Sequence, residues 1–405
     1  MRWKFALVAL ALLAALAVVA GTATAVAPDD ARAVDAEFRM TDVQNTTNYL
    51  SPETTERASY VRGDVDVTAA AGASAQRLRA DHERRVFETR FAAAPETERV
   101  DLVRETADGV EARLARLDAR HAALLAAYSN GTLSAETTMR RLVRLSVEAE
   151  LTRERLEHVS ERADDIDESV PVTLETRLTD LQTDLVTLPN PVVDRVEAGV
   201  AGERDPVVVY AGGDRTGVVL GTVDDGDFVR TATVRDDYAP DQPDQFEQAE
   251  DRDVIAALQR GEQLYPWAYE NDIGGPQIRG FGNTGVYLIR VNYAHGELQT
   301  YISGGTTNAF HEIQTQNPEG VPVSDTSVRT TDSLNLTVET TTGSGPMRVS
   351  LVQPSTGAPL DGTVRVDGTV VGRTGEDGTL WTVQPAGQFR VNATDGPNSV
   401  AVSGP

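Results

Sequence analysis

Apolar residues recur at alternating spacings of three and four over two consecutive stretches, and this pattern constrains the fold more than any other feature. The first stretch comprises Val100, Val103, Ala107, Val110, Leu114, Leu117, His121, Leu124 and Tyr128. The second comprises Leu142, Leu145, Ala149, Thr152, Leu156, Val159, Ala163 and Ile166. Such a repeat gives a helix one apolar seam that packs against another helix. The sequence therefore predicts an antiparallel helical hairpin that turns at Asn130-Gly131, about 50 Å long.

Two shorter stretches extend the helical part of the chain. An earlier helix is predicted from about residue 75 to 91, and five leucines between Leu174 and Leu188 continue the same rhythm. Pro189-Asn190-Pro191 then ends the pattern, because proline cannot continue a helix. We therefore predict a coiled-coil-like bundle over residues 69–188, preceded by a flexible polar segment over residues 28–68.

After residue 204 the sequence pattern changes from helical periodicity to short β-type segments. Strands are predicted at residues 206–210, 218–223 and 228–234, and a hairpin is predicted from 286 to 302. A short helix is predicted over residues 253–264. This order of elements favours an α+β domain over residues 205–316, joined to the bundle by a linker at 189–204.

The C-terminal residues 346–405 alternate apolar and polar positions between tight turns at Asp367-Gly368 and Asp377-Gly378. This pattern predicts a small β-sandwich. A Thr/Ser-rich linker over residues 317–345, with one edge strand at 333–339, connects it to the α+β domain. The expected fold class is multi-domain α and β. It comprises a long antiparallel helical hairpin or bundle, then an α+β domain, then a small C-terminal β-sandwich.

Residues 1–27 have the organisation of a secretory leader. A short cationic start that includes Arg2 and Lys4 precedes an apolar stretch, and small residues follow up to Ala27. This is typical of a signal peptide, for which we expect cleavage after Ala25. The alternative is an uncleaved N-terminal membrane anchor, since the apolar stretch is about long enough to span a bilayer. Both interpretations predict an extracellular or cell-surface location.

The charge balance is acidic, with 62 acidic and 37 basic residues and a formal net charge of −25. Such an excess of carboxylates disfavours nucleic acid as a partner. Lys4 is the only lysine, so arginine supplies every other basic side chain. An acid-rich chain with arginine in place of lysine is typical of extreme halophiles. Codon bias would also favour arginine, but it explains the excess of acids less well.

The residue inventory excludes several kinds of catalysis. The chain has no cysteine, and after Lys4 it has no lysine for a phosphate loop or a Schiff base. Residues 280–285 match G-x-G-x-x-G, but a β-type segment follows them where a dinucleotide site needs a helix. We therefore predict no catalytic residue, no cofactor and no metal ligand.

Two sets of residues remain as candidate sites. The candidate polar site of the α+β domain is His295, His311 and Glu312. Four N-x-S/T sequons are candidate glycosylation sites in an exported chain, and they begin at Asn45, Asn130, Asn335 and Asn392.

Two segments resemble known families. The predicted hairpin from residue 285 to 302, which runs into Ser303-Gly304-Gly305-Thr306-Thr307 and on to Gln314, resembles the ending of PepSY-like domains. Those are small exported modules that usually regulate or bind. Residues 357–368 and 374–380 resemble a carboxypeptidase-regulatory-like (transthyretin-like) β-sandwich. That resemblance implies a non-catalytic accessory module of a surface protein.

Together these features predict a non-catalytic exported envelope protein of a halophilic archaeon, which acts as a surface spacer and a binding module. The expected partner is an envelope protein or a glycan, with self-association through the bundle and membrane contact through an uncleaved N-terminus as further options. Two other functions stay open. One is regulation or inhibition of an exported protease through the PepSY-like region. The other is a metal-assisted extracellular hydrolase that uses His311, Glu312 and two Asp-rich loops, at residues 224–227 and 236–244.

Overall fold

The computed structural model describes residues 39–166, 170–186, 188, 190–247 and 253–404. All of them belong to one compact unit. The predicted leader, residues 1–27, lies outside the described residues. No helix within the described ranges is long and apolar enough to cross a bilayer.

Five helices form the bundle, and the first four correspond to the predicted range. They are α1 (Val67–Ala93), α2 (Glu96–Ser129), α3 (Ala135–Asp164), α4 (Val172–Asp184) and α5 (Pro191–Ala201). The predicted seams are buried along α2 and α3, with Val100 half-buried at the start of the first. Gly131 ends the hairpin turn in the left-handed region at φ 78°, which glycine adopts at low cost. The predicted antiparallel helical hairpin is confirmed.

Helix α1 is joined to the bundle largely by ion pairs. Only Ala69, Phe87 and Phe91 are buried along its length. The carboxylate of Glu88 binds the guanidinium of Arg162 on α3 at 2.8 Å. The opposite face of α1 is open to solvent, where Leu78 is 71 % exposed. This helix therefore contributes less to the apolar core than α2 and α3.

An eight-stranded antiparallel sheet lies against the bundle. Two short strands, β1 (Met40–Thr41) and β2 (Tyr49–Leu50), pair with each other before it. In spatial order the sheet contains β3 (Arg57–Arg62), β4 (Val208–Gly213), β5 (Gly217–Asp224), β6 (Asp227–Val234), β10 (Ala309–Gln316), β9 (Gly296–Ser303), β8 (Val286–Tyr293) and β7 (Gln277–Gly280). Residues 280–285, the G-x-G-x-x-G segment, connect the antiparallel strands β7 and β8.

The pairing of β3 with β4 makes the bundle an insertion into the sheet. Arg57 lies opposite Gly213 and Arg62 opposite Val208, so residues 63–207 leave the sheet and return to the neighbouring strand.

The prediction of a flexible segment is wrong for residues 39–68, which contain β1, β2 and β3. Tyr49 and Leu50 are fully buried there. Sequence periodicity missed β1 and β2 because each has only two residues, and it missed β3 because its partner β4 lies far away along the chain.

The predicted linker at residues 189–204 is also wrong, because it contains α5. The Asn190 side chain caps this helix by accepting hydrogen bonds from the Val192 and Val193 amides at 3.0 and 3.2 Å. Val192, Val193 and Val196 are buried in the core that the bundle shares with the sheet. Helix α5 is too short to show a convincing period, yet it packs against α1, α3, β5 and β6.

The C-terminal sandwich consists of two four-stranded sheets. One has the order β11 (Asp325–Thr330), β12 (Asn335–Thr340), β13 (Pro346–Val352) and β16 (Thr379–Val383). The other has the order β15 (Thr369–Arg373), β14 (Thr363–Val366), β17 (Arg390–Asp395) and β18 (Asn398–Ser403). The predicted linker at 317–345 is wrong in part, because it contains β11 as well as β12. The strand expected at 333–339 corresponds to β12, which lies between β11 and β13 and not at an edge. Leu336 and Val338 of β12 are fully buried in the sandwich core.

Both faces of the large sheet are covered. Val218 and Leu220 of β5 face the bundle, whereas Val219 between them packs towards α6 (Asp253–Leu264) and α7 (Pro266–Glu270). Farther along the second face, Val383 of the sandwich packs against Tyr210 and Phe228. The predicted α+β region and the C-terminal sandwich are thus present, and they share one buried seam.

Candidate functional site

The structure places the predicted polar residues His311 and Glu312 on opposite faces of the sheet. They are consecutive on β10, and successive side chains of a strand point to opposite sides. His311 faces the bundle, where its Nδ1 lies 2.8 Å from Thr233 Oγ1. Glu312 faces the other side, where its carboxylate meets Arg230. Both side chains are fully buried.

His295 lies apart from both, in the turn between β8 and β9. Its Nε2 is 2.8 Å from Thr46 Oγ1, and its ring centroid lies 5.0 Å from that of Trp267. Desolvation lowers the pKa of the His295 imidazole. The candidate polar site of His295, His311 and Glu312 is therefore not one site, because the strand alternation and the distant turn separate its members.

The Asp-rich loops are likewise separate from His311 and Glu312. Asp224 and Asp225 close the turn between β5 and β6, where Arg204 pairs with both carboxylates. Asp237 follows β6 and faces Arg39 at 3.8 Å. Among the described residues, no group of three histidine or carboxylate side chains is arranged to hold a metal ion.

Glu312 is instead the centre of a buried hydrogen-bond network. Its Oε1 accepts a hydrogen bond from Arg230 Nη1 at 2.7 Å. Its Oε2 accepts from the Leu50 amide at 2.7 Å and from the Tyr265 hydroxyl at 2.8 Å. Burial raises the pKa of the Glu312 carboxyl, and the charge of Arg230 opposes this effect. Because no side of this carboxylate reaches solvent, the network is suited to holding segments together.

Arg230 extends the same network to the C-terminal sandwich. Its Nη2 donates to the Leu50 carbonyl at 2.7 Å, and its Nε donates to Ser344 Oγ at 3.2 Å. The guanidinium also lies over the Tyr49 ring at 4.8 Å. One buried arginine therefore connects β2, β6 and the sandwich.

A cleft of about 360 Å³ lies between the bundle and the sheet, and we call it the bundle–sheet cleft. Helices α2 and α4 form one wall, and the ends of β6 and β10 form the other. Its floor includes His121 and Phe310, both buried. Glu111, Asp118 and Asp184 lie around its rim.

His121 is the most distinctive residue of the bundle–sheet cleft. It occupies a seam position of α2, is 8 % exposed, and makes no hydrogen bond with the described residues. Desolvation, assisted by the charge of Arg235, lowers its pKa to about 4. A neutral imidazole has one donor and one acceptor nitrogen, so His121 offers hydrogen bonding to whatever occupies the floor.

The charged groups of the cleft are unevenly paired. Arg235 donates to both carboxylate oxygens of Asp118 at 2.7 and 3.0 Å, and Arg177 binds Glu111 from outside the cleft. Asp184 accepts a hydrogen bond only from the Tyr238 hydroxyl, at 2.9 Å, among the described partners. Desolvation, followed by the neighbouring carboxylates, raises the pKa of Asp184. The rim therefore carries an excess of negative charge.

No local pattern in the amino-acid sequence indicates this cleft. Its one visible signal is His121, a titratable residue in an otherwise apolar seam of α2. The remaining groups come from α4, β6 and β10, and no local pattern links these segments. Only the insertion of the bundle into the sheet brings them together.

The four sequons differ in accessibility. Asn45 and Asn130 are exposed in turns. Asn335 and Asn392 are half-buried on β12 and β17. Glycosylation itself stays a prediction, and the first two asparagines are the better acceptors because a glycan needs an accessible side chain.

Three family models match the chain, and two of them cover its second half. Residues 325–402 match an archaeal fibronectin-III type-like domain, and residues 209–322 match a family of unknown function (DUF7094). The predicted β-sandwich is thus confirmed, and the family model that matches it describes a fibronectin-III type-like domain. The transthyretin-like resemblance stays a prediction. The PepSY-like resemblance stays a prediction. No curated protein and no solved structure matches the chain.

The third family model covers the N-terminal half. It spans residues 3–205, which are 203 of the 405 residues, and so includes all five helices of the bundle. The chain therefore belongs to the family described as a domain of unknown function (DUF7096).

Proposed function

We propose that this protein is a non-catalytic exported module of a salt-adapted archaeal cell envelope, which presents its fibronectin-III type-like sandwich to an envelope protein or glycan. The observation that carries the proposal is the seam between that sandwich and the large sheet. Val383 is buried there against Tyr210 and Phe228, and the Ala386 amide donates to the Tyr210 hydroxyl at 3.1 Å. A sandwich fixed in this way is held in one orientation by the rest of the molecule.

The free edge of the sandwich is the expected contact surface. Strand β16 packs towards β5 of the large sheet, whereas β11 ends the same sandwich sheet on the other side. Val328 on β11 is 56 % exposed. An edge strand presents unpaired backbone groups, and a partner can add to them. The acidic surface and the predicted leader support an exported, high-salt setting for this contact.

Retention of the purified full chain on native envelope fractions in high salt tests the contact surface. We expect Val328→Glu to weaken retention and Leu78→Glu, on the exposed face of α1, to leave it unchanged. The two substitutions make the same chemical change at exposed apolar positions. If Leu78→Glu weakens retention and Val328→Glu does not, the bundle is the binding element. If neither substitution weakens retention, neither surface binds the envelope.

Fractionation of native cells tests the location. We expect the protein in the envelope or the medium, beginning near Val26 if the leader is cleaved and at Met1 if it is an anchor. N-terminal sequencing and the intact mass distinguish these two forms. Recovery of the protein from the cytosol with its leader intact would overturn the proposal.

A further inference from the structure

The middle part of the bundle–sheet cleft is lined by apolar and aromatic side chains. It lies between the imidazole of His121 at the floor and the charged side chains at the rim. The rings of Tyr238 and Phe310 stack at a centroid distance of 4.7 Å. Leu114 and Leu181 add apolar surface from α2 and α4. At about 360 Å³ the cleft has the size of a small-molecule site. An occupant with a flat or aliphatic body would fill this middle part.

The floor supplies a hydrogen-bonding group that the protein itself leaves unused. His121 lines the cleft, is more than nine-tenths buried, and has no hydrogen-bond partner among the described residues. Its ring nitrogens are accessible from the cleft, and a neutral imidazole has one donor and one acceptor to offer an occupant. An occupant with a hydroxyl or amide at its inner end would satisfy one of these nitrogens.

The rim determines the preferred charge of the occupant. Three carboxylates line the cleft, those of Glu111, Asp118 and Asp184, against the single guanidinium of Arg235. That guanidinium is occupied by Asp118 through two hydrogen bonds. Asp184 has no cationic partner among the described residues. A positive group on the occupant would therefore be favoured at Asp184, and a negative one would be repelled.

From these three features we propose that the bundle–sheet cleft binds a small organic cation that has an apolar body, with its ammonium group at Asp184 and a polar group at His121. The aromatic wall adds attraction for such a cation, because the face of an aromatic ring is electronegative. This binding activity goes beyond the proposed envelope role and does not depend on it.

Calorimetric titration of the full chain with three related probes tests the assignment. Tyramine has an ammonium group, an aromatic body and a hydroxyl, whereas phenethylamine lacks the hydroxyl and 4-ethylphenol lacks the ammonium group. We expect saturable binding of tyramine, with binding at least about tenfold weaker for each of the other two. Equal binding of all three probes, or no saturable binding of tyramine, would overturn the proposal.

Two variants and a control locate the binding site. Asp184→Asn is expected to weaken tyramine binding about tenfold and to leave 4-ethylphenol unchanged. His121→Phe is expected to bind tyramine only as tightly as the wild type binds phenethylamine. Asp227→Asn, at the exposed first residue of β6, should bind tyramine like the wild type. If His121→Phe does not fold, Asp184→Asn and the probe series still decide the outcome. Unchanged tyramine binding in folded Asp184→Asn would overturn the site.

Discussion

The guanidinium of Arg230 and the carboxylate of Glu312 meet at 2.7 Å, and neither side chain is accessible to solvent. They lie on the neighbouring strands β6 and β10, on the face opposite to the bundle. Ser344 of the sandwich and Leu50 of β2 bind the same guanidinium. An ion pair at this position is costly to bury, and its further hydrogen bonds offset that cost. The pair therefore fixes how four segments meet.

Glu312→Gln should destabilise the protein by about 3–5 kcal/mol, because it leaves the Arg230 cation buried without a countercharge. The double variant Arg230→Met/Glu312→Gln should be more stable than Glu312→Gln alone. Denaturant unfolding in high salt measures both free energies. Glu136→Gln, which breaks an exposed pair with Arg140, is the matched control and should have little effect. Equal losses for Glu312→Gln and Glu136→Gln would contradict the assigned role.

His311 should make the stability depend on pH. Its pKa is lowered to about 4 by burial, against about 6.5 in an unfolded chain, so the unfolded state binds the proton more readily. Stability is therefore highest above pH 6.5 and falls as the pH drops towards 4. Between pH 7 and pH 5, the free energy of unfolding should therefore fall by about 2 kcal/mol more in the wild type than in His311→Gln.

The free energy of unfolding at the two pH values measures the His311 effect. Carboxylates titrate in the same range, so the comparison is between wild type and variant at each pH. His82→Gln, at an exposed position of α1, is the control and should keep the wild-type dependence. A dependence that is unchanged in His311→Gln would show that His311 does not contribute.

The seam at Val383 should couple the sandwich to the large sheet. Val383→Asp places a charge against Tyr210 and Phe228, so we expect the sandwich to separate from the sheet and to unfold in a second transition. Differential scanning calorimetry would show two transitions in the variant and one in the wild type. Val370→Asp, on the exposed part of β15, should keep one transition. A single transition in Val383→Asp would contradict the coupling.

Glycan attachment in the native cell should follow the exposure of the sequons. Asn130→Gln removes an exposed acceptor in the turn between α2 and α3, so the intact mass should fall by one glycan. Asn392→Gln changes a half-buried position on β17 and should raise the mass only by the one added methylene group, with no loss of glycan. A glycan lost from Asn392→Gln and kept in Asn130→Gln would reverse the predicted order.

Local patterns in the sequence were sufficient for the long elements. The seams of α2 and α3 extend over many turns, so their period is unambiguous and their burial follows from it. The turn at Asp367-Gly368 was predictable for a similar reason, since both residues adopt positive φ angles that few residue types favour. The fold class follows from these elements and their order.

Tertiary structure alone decided the elements whose partners are distant in the chain. Strand β3 is defined by its pairing with β4 across residues 63–207, and α5 by its burial between the bundle and the sheet. The bundle–sheet cleft depends on that same insertion, because it joins His121 of α2 to Phe310 of β10. The sequence by itself determined the period and length of each regular segment. Which segments meet depends on how much apolar surface and how many buried hydrogen bonds each arrangement satisfies, and that is a property of the folded chain as a whole.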